Sequence, residues 1–163
     1  MVSAPEWHEW GAPTRVRIDH APVWLFALAV KDRNPLYASE QAARAAGFGA
    51  VPCPPTFTFV MAHTGAWPDL QPESRTEGGA AAASVAAGPG LYLHGEQEFV
   101  YHRQPVVGDE LEGRTRVSLP QRKDGGRRPM ELTWYQTRWC DLDGAPVVDE
   151  LITSVYLADG APT

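Results

Sequence analysis

Cysteine is scarce in this chain, with only Cys53 and Cys140 in 163 residues. Two cysteines cannot form a disulfide framework, and neither lies in a metal-type spacing. Basic residues are also in the minority, 14 Lys+Arg against 20 Asp+Glu for a net charge of −6. No basic block offers a phosphate footprint, which argues against a nucleic-acid scaffold. Long apolar runs are missing: the longest, Val23 to Val30, is eight residues, far below the ~20 needed to span a bilayer. The first ten residues lack a basic stretch followed by an apolar one, so no signal peptide is expected. What remains is ordinary globular usage, 44% hydrophobic and 21% charged. The length suits a single domain over residues 1–163 with a real core, and a soluble, cytoplasmic setting is expected. Fifteen glycines and fifteen prolines imply many turns but fall short of low complexity.

The first half reads as helix and loop, the second as strands. Val16 and Ile18 alternate with Arg15 and Arg17 in a short strand. Asp19 or His20 then caps a helix with Pro22 in its first turn and Val23, Phe26, Ala27 and Val30 on one face. Asn34-Pro35 is expected to end it, because a residue before proline is pushed out of the α region. Ser39 opens a second short helix with Ala42, Ala43 and Ala46, stopped by Gly47 and Gly49. Phe57, Val60, Met61 and Thr64 recur at helical spacing up to Gly65, giving an apolar helix over 56–65.

Residues 66–90, rich in alanine and glycine, read as a flexible insertion, with a helical turn at Ala80 to Ala87 as the alternative. Four strands follow. In the first, Leu91, Leu93, Phe99 and Tyr101 share a face, and so do His94 and His102. In the second, Leu111, Thr115, Val117 and Leu119 alternate with polar residues. Turns at Asp124-Gly125-Gly126 and Asp143-Gly144 lead into Met130 to Cys140 and Val147 to Leu157, and Trp134 and Trp139 take opposite faces. The fold class is α+β, most economically a curved antiparallel sheet wrapped around the 56–65 helix. Such an open sheet leaves an edge strand and apolar surface to be covered.

The histidines give no centre. His8, His20, His63, His94 and His102 are scattered, and strand rise puts the last two more than ~25 Å apart. No phosphate loop, nucleophile elbow or zinc-type cluster appears, so no metal or cofactor is expected.

One stretch is more specific. It runs Asp32-Arg33-Asn34-Pro35-Leu36-Tyr37, a short alanine-rich helix, Gly47 to Pro52, then Pro54-Pro55-Thr56-Phe57. Further on come His94-Gly-Glu-Gln-Glu-Phe99-Val-Tyr101-His102-Arg103 and Val107-Gly108-Asp109. Over roughly residues 15–158 this resembles the MaoC-like hotdog (R)-hydratase/dehydratase family. It is most similar to the N-terminal dehydratase branch and to type II (3R)-hydroxyacyl-thioester dehydratase subunits. The resemblance implies a hotdog fold, two such domains side by side, and an acyl thioester of coenzyme A or acyl carrier protein between them. In active members the Asp and His of the motif position a water that adds across a trans-2-enoyl thioester, giving the (R)-3-hydroxyacyl product.

Here Asp32 and Asn34 match that motif, but Tyr37 replaces its histidine. A phenol with an ordinary pKa near ~10 is a poor base at neutral pH, whereas imidazole near ~6.5 is well placed. Pro55 aligns with the residue whose backbone N–H polarises the thioester carbonyl, and proline has none. The resemblance therefore implies the non-catalytic acyl-binding half of a hydratase or dehydratase, with Pro55, Thr56, Phe57, Val60, His94 and Arg103 toward substrate. Arg33 and Arg103 are candidates for carrier phosphates. The expected partner is a hotdog homologue with an intact Asp-x-Asn-Pro-x-His, or a second copy. Two rivals stand: a self-sufficient homodimeric hydratase or thioesterase using Asp32, and a non-catalytic acyl-thioester binding protein.

Overall fold

The computed structural model describes residues 4–62, 90–123 and 129–158. The expected insertion at 66–90, His63, the last turn of the 56–65 helix and the turn at 124–126 lie outside or almost wholly outside the described residues. The chain runs β1 (Thr14–Arg17), α1 (His20–Ala29), a 3-10 turn (Pro35–Tyr37), α2 (Glu40–Ala45) and α3 (Phe57–Ala62). Strands β2 (Gly90–Tyr101), β3 (Glu110–Val117), β4 (Gln121–Lys123), β5 (Met130–Asp141) and β6 (Pro146–Ala158) follow. The sheet is antiparallel with order β1-β3-β5-β6-β2, and β4 pairs off that path with β5. Phe57 and Met61 of α3 are buried with Val16, Leu111, Trp139 and Val148 of the sheet. This is the α+β hotdog arrangement of a sheet curved around one helix.

Local chemistry explains most boundaries. Ser39 caps α2 by accepting the Ala42 N–H, and Gly47 leaves it at φ +91°. Asp141 Oδ1 accepts the N–H groups of Asp143 and Ala145, and Gly144 at φ +86° turns the β5–β6 hairpin. The odd, five-residue separation along β5 puts Trp139 inward and the half-buried Trp134 outward, opposite Val148 and Thr153 respectively.

Several expectations are corrected. Helix α1 ends at Ala29, not at Asn34-Pro35, because Lys31 adopts φ +61° while the Lys31 and Asp32 N–H groups close onto the Leu28 and Ala27 carbonyls. Val30 is therefore 54% exposed instead of facing the core. Strand β4 was not anticipated; three polar residues carry no alternation to read. Leu119 lies beyond the end of β3 and is exposed.

The largest correction is in β2. Its register against β6 passes from His94↔Ser154 to Glu96↔Thr153, so Gly95 is an extra, bulged residue. A one-residue insertion exchanges the faces. Tyr92, His94, Gln97, Phe99 and Tyr101 share the inner face with Val148 and Glu150, while Leu91 and Leu93 point outward with Glu96, Glu98 and Val100. His94 and His102 consequently take opposite faces, and His102 bonds Asp149 on the outer side at 3.0 Å. Among the described residues no helix is long and apolar enough to cross a membrane.

Candidate functional site

The stretch from Lys31 to Tyr37 is shaped by its own short side chains. Asp32 Oδ1 accepts the Asn34 N–H at 3.0 Å, and Asn34 Oδ1 accepts the Leu36 N–H at 3.1 Å, capping the 3-10 turn. Both residues thus make Asx-type caps, the local role that Asp and Asn before proline commonly take. The turn is tied back to α1 by His20 Nε2, which donates to the Tyr37 carbonyl at 2.8 Å. Tyr37 itself is buried, 8% exposed. Burial first, then Asp32, then Cys53 push its phenol above the ordinary tyrosine value. The side chain in the histidine position is therefore even less ionised at neutral pH than a free phenol.

The segment after α2 is bonded to the loop behind β2. Val51 accepts the Val107 N–H at 2.8 Å, Cys53 donates to the Pro105 carbonyl at 2.9 Å, and Gln104 Nε2 donates to the Cys53 carbonyl at 2.9 Å. Arg103 Nη1 donates to Asp109 Oδ2 at 2.6 Å, and the same oxygen accepts the Val106 N–H. Arg103 thereby holds this loop, with its side chain still partly exposed. The Cys53 thiol is buried and shifted far upward by burial and Asp109, which leaves it protonated and unreactive.

At the start of α3, Pro55 and Thr56 are exposed while Phe57 is buried. Pro55 has no N–H to give. The next amide, that of Thr56, donates to the Tyr101 hydroxyl at 3.0 Å. Thr56 sits at φ +67°, a left-handed conformation rare for a β-branched residue. The Tyr101 phenol is raised by burial, lowered by the Thr56 bond, and raised again by Glu150 and Cys53. Further along α3, Phe59 meets the His94 ring edge-on at 6.0 Å, and Val60 is half-buried. Phe57 packs edge-on against Phe26 of α1 at 5.6 Å.

Two groupings result, joined by Cys53: Asp32 and Tyr37 on one side, Thr56, Tyr101 and Glu150 on the other. Asn34 serves its own turn and Arg103 its own loop. Tyr101 as the acceptor of the Thr56 amide, and the buried Glu150, were missed from sequence. For Glu150 a signal exists, since alternation from Val148 puts it on the apolar face. For Tyr101 none does, because the contact joins residues 45 apart. Among the described residues no group of three or more His, Cys, Asp or Glu is placed to hold a metal ion.

Comparison with known proteins fits this layout. The family model for the FAS1-like dehydratase domain region matches residues 8–150. A UPF0336 protein of Parafrankia sp. is 37% identical over 124 residues, covering 76% of this chain and 73% of the relative. A UPF0336 protein of Mycobacterium tuberculosis is 28% identical over 142 residues, 87% of this chain and 77% of the relative. Among solved structures, the HadBC (3R-hydroxyacyl-ACP dehydratase) complex of M. tuberculosis superposes with TM-score 0.62 at 21% identity, covering 94% and 98% of the two chains. The ChsH1–ChsH2 complex of the same organism gives TM-score 0.68 at 20% identity, covering 94% and 87%. A MaoC-like dehydratase of Rhodospirillum rubrum gives 0.61 at 17%, covering 98% and 96%. These likenesses establish the hotdog fold, and with residues 8–150 matched, the chain belongs to the family of the FAS1-like dehydratase domain region.

Proposed function

We propose that this chain is the non-catalytic, acyl-binding subunit of an (R)-specific enoyl-thioester hydratase or 3-hydroxyacyl-thioester dehydratase. The observation that carries the reading is Tyr37: it stands where the resemblance calls for a histidine base, and burial together with Asp32 keeps its phenol protonated. The start of α3 supports the same conclusion. Pro55 has no donor, and the Thr56 N–H is already engaged by Tyr101, so a thioester carbonyl would meet no open amide there. Loss of one such donor alone costs ~100-fold or more in rate.

Catalysis then requires a partner with an intact Asp-x-Asn-Pro-x-His. HadBC and ChsH1–ChsH2 are both described as complexes, which supports a heteromeric reading. The surface supports it too. Among the described residues strand β2 is an edge of the sheet, and α1 exposes Leu25 and Leu28, with Val30 just past its end, while burying Val23 and Ala27. A helix apolar on all sides belongs against a neighbour. The proposed acyl path runs along Thr56, Val60 and His94, backed from the core by Phe57, with Arg103 toward the phosphates of coenzyme A or an acyl carrier. Free Cys53 and Cys140 suit a reducing cytoplasm.

Repair variants test this assignment. Tyr37→His restores a base without a donor, and Pro55→Gly restores an amide without a base. Each alone is expected to leave the isolated chain inactive on crotonyl-CoA, and only the double variant to hydrate it, weakly, because the surrounding shell was not shaped for the reaction. Full activity from either single change would overturn the assignment. Acyl binding without turnover in the presence of candidate partners would favour the purely binding reading.

A further inference from the structure

The inner face of the sheet holds a buried carboxyl that the proposed site does not use. Glu150 is 1% exposed, in register with Thr137 of β5 and Phe99 of β2. Both of its carboxyl oxygens are buried without a hydrogen-bond partner, and so are Thr58 Oγ1 and Trp139 Nε1. Thr58 of α3 and Trp139 of β5 are the polar side chains that face the carboxyl, close enough to favour its charge yet outside bonding geometry. Unmatched groups of this kind are costly in a core, and an unpaired carboxylate most of all.

A neutral carboxyl carries the smaller burial cost and can still pair with both side chains. Neutral, its O–H can donate to Thr58 Oγ1 while its carbonyl oxygen accepts the Trp139 N–H; ionised, it can accept from both, but burial outweighs what those two donors give. Around it, α3 contributes Thr58 and β5 contributes Thr137 and Trp139, none of which titrates. From β2 comes Tyr101, the titratable group that feels Glu150. We propose that Glu150 is a proton-operated latch: when neutral it rests dry between α3, at Thr58, and the sheet, at Trp139, and when ionised its need for water favours the opening of α3. Helix α3 begins directly after Thr56, so the latch also governs how firmly the Thr56–Tyr101 contact is held; relevance to acyl binding rests on the proposed function, but the latch does not.

Burial pushes the Glu150 carboxyl up to about 7, against smaller relief from Thr58 and Trp139. A carboxyl raised in the folded state contributes fully below its ordinary value and loses that contribution as pH rises through its folded one. Hydrogen exchange of the α3 amides, corrected for intrinsic rates and referenced to β5 and β6, reads the latch directly. From about pH 5.5 to about pH 8, α3 protection in the wild type is expected to fall by roughly tenfold or more. Glu150→Gln, neutral at every pH, is expected to show no such fall. A flat wild-type profile, or an equal fall in Glu150→Gln, would overturn the proposal. Should that variant fail to fold, infrared spectra of the wild type decide. A neutral-acid carbonyl band present at about pH 6 and gone by about pH 8 supports the latch; none at about pH 6 refutes it.

Discussion

The backbone N–H of Thr56 donates to the hydroxyl of Tyr101 at 3.0 Å, across 45 residues of sequence. The contact pins the first turn of the central helix to the open edge strand, and it does so at a residue forced to φ +67°. Two opposite consequences follow for stability. Tyr101→Phe removes the acceptor and is expected to cost about 0.5–1.5 kcal/mol. Thr56→Gly keeps the amide and relieves the left-handed strain, so it is expected to raise the melting temperature. Calorimetry of the two variants beside the wild type checks both signs.

Trp139 lies across Gly113, its directly paired neighbour on β3. A Cβ at position 113 would run into the indole ring, which is almost wholly buried and has nowhere to move. Gly113→Ala is expected to destabilise the fold by about 1–3 kcal/mol through overpacking. Gly108→Ala offers a contrast, since a Cβ there meets open space and the strain comes only from φ +96°. Urea midpoints at equal slope would separate the two mechanisms.

Asp149 accepts from Arg138 Nε at 2.9 Å and binds His102 at 3.0 Å on the outer face. Burial works against its charge, but the His102 and Arg138 hydrogen bonds and charges prevail and hold the carboxyl below its ordinary value. A lowered carboxyl stabilises the fold above its unfolded value and loses that contribution as pH falls through its folded one. Asp149→Asn is therefore expected to lower the neutral-pH plateau and to flatten the acid limb of the stability curve below about pH 4. An acid limb identical to wild type would contradict the role given to this cluster.

Asp32 has two effects that substitution separates. Asp32→Asn keeps an oxygen for the Asn34 N–H but removes the charge, so the fold is expected to hold while the Tyr37 phenol titrates at lower pH. Burial is the larger cause, so the return toward the ordinary value is partial. Asp32→Ala also loses the turn and is expected to cost about 1 kcal/mol. Ultraviolet difference titration of wild type against Asp32→Asn reads the first effect, and thermal melts read the second.

Local chemistry was legible from the residues themselves. The Ser39 cap, the Asp143-Gly144 turn, the alternation of Leu111, Thr115 and Val117 in β3 and the opposite faces of Trp134 and Trp139 in β5 each depend on neighbours within a few positions, and each stands as expected. What failed depends on partners distant in sequence. The bulge at Gly95 is defined only against β6, so the faces of Leu91, Leu93 and His94 could not be assigned from β2 alone. The end of α1 turns on Lys31, a residue type with no preference for left-handed backbone, while the nearby Asn34-Pro35 gave the stronger but later stop signal. The Asp32 to Tyr37 motif was readable as a motif; the burial of Tyr37 and the capture of the Thr56 amide by Tyr101 required the folded chain.

Steady-state hydration of crotonyl-CoA tests the central claim most directly, with the unmodified chain assayed alone and then mixed with a hotdog homologue carrying an intact Asp-x-Asn-Pro-x-His. The account predicts no turnover from the chain alone, turnover from the mixture, and little change in the mixture when Asp32→Asn replaces the wild-type chain. Efficient hydration by the chain alone, abolished by Asp32→Asn, would contradict it and make Asp32 a working catalyst.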